Sequence, residues 1–384
     1  MKMNNSKGMN VIARSSMSPS ATKNDEAISI LHNGFCILSC MVILILSGFQ
    51  QSSMAANKKT PSSPPKLSTV DGLIKYIKPL PAVEDVRTWD NPYGSGLLIQ
   101  TVHYEIYTTM LEPLMLKQIP GFVEAAWQEY QNQLPEPIVG GGAQRFKLYL
   151  FKDRAQWEQF SQNFTGPQWP VYQKIKKGAY YLKDSCVAYN IGRTRTFSVI
   201  GHEGWHQFCN RYFKYRLPSW LDEGIAQLFE TSNMDNGRFI FQPAKNYQRL
   251  GSLKISMQKG KLIPLRTLIS LNPGQTVLNE EADAATTAFY AQSYALVRFL
   301  REDNYGKRLG NYYQMMLGAL HGTWPLSGNE SQIASDRNIP LTTNWNSFIA
   351  QKLFKIYINA DIDKLEPEYV LYCGKITFPI TVSY

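Results

Sequence analysis

Cysteine is too scarce to staple this chain together. Five of the 384 residues are cysteine, and two of them, Cys36 and Cys40, share one apolar stretch near the N-terminus. That leaves Cys186, Cys209 and Cys373 in the body. Three permit at most one internal pair, and no Cys-x-x-Cys spacing occurs, so neither a disulfide framework nor a thiolate metal site is expected. Long apolar runs are missing too. The run Phe35 to Phe49 has fifteen residues, where a membrane span needs about twenty. There is no arginine-rich arm and no recognised nucleic-acid motif. The formal charge of +10 is scattered along the chain, which fits a general preference for anionic surfaces and argues against a nucleic-acid partner. No internal repeat is apparent.

What is present reads as a folded soluble protein, with 44% hydrophobic and 18% charged residues. The length favours one main domain with accessories over three domains. Lys2, Lys7, Arg14 and Lys23 precede the short apolar run, and Ser53-Met54-Ala55 offers a small-x-small cleavage site. Residues 1–55 therefore read as a signal peptide, with a retained membrane anchor over residues 35–49 as the alternative. Either way the body is expected outside the cytoplasm, secreted or periplasmic, and the membrane is met only through that segment. Gln51 to Thr69 has the Ser, Pro and Lys content of a tether, and residues 56–94 form a linker and N-terminal extension.

Further on, Leu97 to Thr109 alternates as a half-buried strand, with Val102, Tyr104 and Ile106 on one face. Leu114 to Leu134 reads as a helix with a break expected at Pro120-Gly121. Gly140-Gly141-Gly142 lacks the Gly-Lys-Ser/Thr ending of a phosphate loop and reads as a turn before a strand, Arg145 to Phe151. A helix over Arg154 to Phe164 and a hairpin turning at Lys183-Asp184 follow. Phe239 to Phe241 is strand-like. Helices are expected over Pro264 to Ile269, Ala282 to Arg301, Gly310 to Leu320 and Asn344 to Phe354. Tyr369 to Tyr384 turns strand-like.

The chemistry concentrates at His202-Glu203-Gly204-Trp205-His206. On a helix, residues i and i+4 share a face, so both imidazoles can address one metal ion. Glu203 lies one step round, within reach of a water at the metal without being a ligand. The downstream run Leu217 to Glu230 supplies acids, with Pro218 and Ser219 as a helix start and Trp220, Ile225, Leu228 and Phe229 as its buried stripe. Glu223 falls in the first turns of that helix. Glu230, two turns on and on the same face, is a rival third ligand or a carboxylate supporting a ligand from behind. Asp222 reads as a solvated helix-start acid, or as a carboxylate orienting a ligand histidine. The metzincin extension is excluded, because it needs Gly and His where this chain has Cys209 and Tyr212.

The pair of segments resembles the gluzincin metallopeptidases, and more closely their peptidase-MA-like branch. Pro218, Trp220, Leu221, Glu223, Gly224 and Ala226 match the branch's Pro-x-Trp-Leu-x-Glu-Gly-x-Ala segment. Tyr290-Ala-Gln-Ser293 matches a Tyr-x-Gln-Ser segment of a later helix. Trp205 departs from the small residue or Thr common at its position. The resemblance spans roughly residues 95 to 320. It implies an α+β fold with a thermolysin-like zincin core: a small mixed sheet, an HExxH active-site helix and a helical C-terminal lobe. The domains would be the catalytic domain at 95–325 and a helix-and-strand extension at 326–384. It further implies one Zn2+ per chain on His202, His206 and Glu223, and hydrolysis of peptide bonds in a peptide or protein substrate, with Glu203 as general base. The Lys183-Asp184 hairpin would be the sheet edge that aligns the substrate. Tyr290 would be the oxyanion donor, with Tyr294 and then His321 as alternatives. Two other functions stay open: a binding protein that keeps the fold without turnover, and a hydrolase of non-protein amides such as cell-wall peptides.

Overall fold

Alternation along two strands sets the architecture. In β4 (Phe146–Phe151) and β6 (Ser185–Tyr189), Leu148, Leu150, Cys186 and Ala188 point to one side of the sheet, and Phe151, Val187 and Tyr189 to the other. Both sides are buried, as expected of strands at the centre of a parallel group. The structure is a computed structural model, and it describes residues 67–138, 144–175, 178–272, 282–339 and 343–382. The expectations for the N-terminal 55 residues, for most of the tether and for Gly140–Gly142 lie outside the described residues.

The sheet has six strands in the order β1-β2-β3-β4-β6-β5. The other four strands are β1 (Asp85–Thr88), β2 (Leu97–Gln100), β3 (Tyr104–Thr108) and β5 (Ala179–Leu182). Pairs β3/β4 and β4/β6 are parallel, while β1/β2, β2/β3 and β5/β6 are antiparallel, so the sheet is mixed, with β1 and β5 as its edge strands. Helix α1 (Val70–Ile77) precedes it. Helix α2 (Pro113–Gln131) makes the crossover from β3 to β4, and α3 (Arg154–Thr165) with the short α4 (Trp169–Tyr172) leads into the β5–β6 hairpin. Trp157, Phe160, Tyr172 and Tyr180 fill the α3 side.

The other side receives α5 (Arg193–Tyr212), then α6 (Ser219–Ala226), continued by a 3-10 turn at Gln227–Phe229. A two-stranded hairpin, β7 (Ser232–Asp235) and β8 (Arg238–Phe241), follows. The rest is helical: α7 (Tyr247–Gln258), α8 (Leu265–Ser270), α9 (Ala282–Gly306), α10 (Leu309–His321), α11 (Asn329–Ser335), α12 (Thr343–Tyr357) and α13 (Ile362–Thr377). The protein is thus α+β, with a small mixed sheet followed by a helical C-terminal region. No helix among the described residues is long and apolar enough to cross a membrane. Cys186, Cys209 and Cys373 are buried and unbridged.

Three expectations are corrected. Leu97 to Thr109 is two strands, because the chain turns at Thr101 to His103. There the Glu124 carboxylate accepts from the Thr101 hydroxyl at 2.5 Å and the His103 amide at 2.9 Å, leaving Val102 58% exposed. Pro120 does not break α2, which runs unbroken from Pro113 to Gln131. The strand-like C-terminus is helix α13 as far as Thr377. Asp361 caps it by accepting from the Lys364 amide, and Tyr369, Tyr372, Cys373 and Thr377 bury one face at helical spacing. Aromatic and β-branched residues suggest a strand locally; packing of that face decides otherwise.

One close approach fixes where the site forms. Helix α6 crosses α9 so tightly that a β-carbon on Gly224 would sit 2.5 Å from the Ser293 carbonyl oxygen and 2.6 Å from a Val297 methyl. Glycine is therefore required beside Glu223. Gly224→Ala is expected to cost about 1–3 kcal/mol through overpacking, read as a lower urea midpoint at unchanged m-value.

Candidate metal centre

Helix α5 is buried on all sides: every residue from Val199 to Cys209 lies in the interior. Its polar side chains must therefore find partners inside the protein. Tyr130 of α2 approaches closely enough that its hydroxyl donates to the Gly201 carbonyl at 2.8 Å, and Gly204 leaves room for its ring. Gln207 ties the helix to the sheet, donating to the carbonyls of Lys147 at 3.0 Å and Asp184 at 2.9 Å. Trp205 is enclosed by Tyr130, Phe208, Phe213 and Phe229. The large ring in the HExxH segment is thus accommodated in the core.

On the face toward α6, His202 and His206 converge on Glu223. Glu223 Oε2 lies 3.3 Å from His202 Nε2 and 3.6 Å from His206 Nε2. One potential ligand atom from each of the three residues falls within 4.8 Å of the others, and all three residues are buried. The opposite ring nitrogens are held by carboxylates. His202 Nδ1 is 3.0 Å from Glu230 Oε1, and His206 Nδ1 is 3.1 Å from Asp222 Oδ1. A carboxylate can only accept, so each Nδ1 carries a hydrogen, and the Nε2 atoms face Glu223, where a metal ion would take the place of the proton on His202 Nε2. His202 Nε2 is fully buried and finds no hydrogen-bond partner of good geometry. Two imidazole lone pairs and one carboxylate oxygen make a nitrogen/oxygen donor set that can hold a metal ion.

The two glutamates lie on opposite sides of His202. Glu223 reaches the Nε2 side, whereas Glu230 stands behind His202 on its Nδ1 side. Asp222 takes the orienting role, accepting also from the Trp205 indole N–H at 3.1 Å. Glu203 is buried beside the cluster. Tyr290 is 3% exposed, with its ring 5.3 Å from the Arg249 guanidinium. Tyr294 is committed elsewhere: its hydroxyl donates to the Pro243 carbonyl at 2.5 Å and accepts from Arg298 at 2.9 Å. His321 is half exposed and pairs with Glu136 at 2.7 Å.

Two partners have no signature in the sequence reading. Arg249 and Asn246, from the start of α7, both donate to Glu230. No local motif announces this contact across 16 and 19 residues. The electrostatics follow from these pairings. Burial works against a charge on His202, but Glu223 and Glu230 outweigh it and lift its pKa to about 10. Burial would raise Glu230, yet Arg249 and His202 pull it down to about 2.

Residues 196–316 match a family model described as a protein of unknown function, DUF1570. The match takes in the metal helix, α6, the Glu230 clamp and Tyr290. No curated protein matches the chain.

Metal analysis of protein purified without chelator is expected to find one divalent transition metal per chain, lost in the His202→Ala/His206→Ala double variant. Glu223→Ala should also lose it, whereas Glu230→Ala should weaken binding by about 10–100-fold. Because His202 keeps its proton up to about pH 10 in the metal-free protein, uptake at pH 7 should release that proton, and affinity should fall as the pH is lowered. Calorimetry in two buffers of different ionisation enthalpy measures the release.

Proposed function

We propose that the chain is a zinc-dependent hydrolase of peptide bonds, a gluzincin-type metallopeptidase with a thermolysin-like core, acting outside the cytoplasm. The observation that carries this reading is the convergence of His202, His206 and Glu223 with Glu203 on the same helix. Zinc in such a site would supply Lewis acidity, polarising a carbonyl and acidifying water.

The remaining work falls to the chain's own residues. Glu203 takes the proton of the attacking water and passes it to the leaving amine. Glu230 and Asp222 hold the two imidazoles in the tautomer that binds metal. Tyr290 donates a hydrogen bond to the oxyanion that develops on the scissile carbonyl. Strand β5, at the sheet edge next to α5, aligns an extended peptide by backbone pairing. Its hairpin is fixed to the metal helix by the Arg211–Asp184 ion pair at 2.5 Å.

One observation favours a second reading. His202 and Glu203 are 0% exposed, and His206 and Glu223 are 2% exposed. A centre closed this tightly also suits a protein that holds its metal without turnover. Peptide-library cleavage by the mature chain separates the two. On the hydrolase reading, wild type cleaves and Glu203→Gln retains the metal but loses cleavage. No cleavage by metal-loaded wild type overturns peptide hydrolysis and leaves the binding protein or a hydrolase of non-protein amides. Tyr290→Phe should lower kcat by roughly a hundredfold to a thousandfold at unchanged metal content. A loss of only a few-fold would remove Tyr290 from that role.

A further inference from the structure

We propose that Arg249 is the positioning residue of the metal centre, fixing Glu230 as the acceptor behind His202 and barring it from becoming a ligand. The inference rests on the metal-site reading above but not on catalysis.

The geometry is that of a filled clamp. Glu230 Oε1 receives Arg249 Nη2 at 2.6 Å and His202 Nδ1 at 3.0 Å. Glu230 Oε2 receives Arg249 Nε at 2.9 Å and Asn246 Nδ2 at 2.9 Å. Each oxygen thus accepts two hydrogen bonds, and the guanidinium fork fixes the plane of the carboxylate. A carboxylate engaged on both oxygens cannot swing round to a metal at Nε2. Asn246 is itself fixed as the N-cap of α7, its Oδ1 accepting from the Arg249 amide, while its Nδ2 also reaches the Gln227 carbonyl at 3.2 Å. The clamp is therefore anchored to the chain that carries Glu230.

Arg249 and Glu230 are 4% and 7% exposed. An ion pair this deep is a poor way to stabilise a fold, since apolar residues often serve as well. What it supplies is direction. The guanidinium carbon also lies over the Tyr290 ring, 5.3 Å from its centroid. His206 has a different backing, from Asp222, which is 15% exposed and accepts from an indole. Loss of Arg249 should therefore act on one ligand of the three.

The test compares wild type, Arg249→Lys and Arg249→Met, stripped of metal and reloaded. Zn2+ affinity is read by competition with a chromophoric chelator, and ligand geometry by the visible spectrum of the Co2+ form. Arg249→Met should bind Zn2+ about 10–100-fold more weakly and shift the Co2+ bands, with the far-ultraviolet circular dichroism of wild type. Arg249→Lys should recover little, because an ammonium cannot span both oxygens. Reduced thermal stability with wild-type affinity and spectrum would mean a structural ion pair and would overturn the proposal. If Arg249→Met does not fold, Arg249→Lys decides: wild-type affinity there overturns the proposal, and weakened affinity supports it. Wild-type protein that takes up neither Zn2+ nor Co2+ overturns this inference and the metal reading together. Variants that bind as tightly as a metal-binding wild type overturn this inference alone.

Discussion

Everything near the centre depends on one constraint: a helix buried all round must satisfy its polar side chains without water. His202, Glu203, His206 and Gln207 all lie on such a helix. Left unpaired, each would oppose folding by several kcal/mol on the order of a buried polar or charged group. The chain answers by bringing a matching group from a different element to His202, His206 and Gln207. The sheet supplies backbone carbonyls for Gln207, α6 supplies Asp222 for His206, and the turn after α6 supplies Glu230 for His202. The residue left facing inward between the imidazoles is Glu223. Glu223 and the two Nε2 atoms together form the donor set.

Charge follows the same logic. Four carboxylates, Glu203, Asp222, Glu223 and Glu230, gather around two imidazoles, and Arg249 neutralises one of them. A divalent cation placed between the Nε2 atoms offsets much of the charge that is left. Metal binding and the stability of the surrounding core are in this sense one problem, because apolar residues such as Trp205, Trp220 and Phe229 pack directly around these charges. Such surroundings keep the local dielectric low, which strengthens each pairing and penalises each omission.

The parts legible in the sequence were those written in local geometry. His202 and His206 sit four apart, so any helix through them brings them together, and Trp220-Leu221-x-Glu223-Gly224 carries its own pattern. Helices with a clear stripe, such as α9 and α10, were likewise readable. Asp222 was visible only as one of two alternatives, because a helix-start acid looks the same whether it faces solvent or an imidazole. Arg249 and Asn246 were invisible: their partner lies on another element, and only the tertiary fold brings it near. The errors have the same origin. A three-residue turn held by Glu124, twenty residues away, split one expected strand into two, and the tyrosines of α13 took their helical form from the core they cover.

The polar partners of α6 also impose an order in time. The amide of Ser219, at its first turn, is capped by Asn346 Oδ1 at 2.9 Å, and Gly224 packs on the backbone of Ser293. During synthesis the two histidines leave the ribosome well before either partner exists. At typical elongation rates the interval from His206 to Asn346 is roughly ten seconds. Throughout it the strands, α2 and α5 have been synthesised, whereas the helices that pack on α6 from the far side are still incomplete. The contacts that seat α6, at Ser293 and Asn346, therefore become available only once the C-terminal helices have been made. The placement of Glu223 thus depends on a contact made about 120 residues further along the chain, at Asn346.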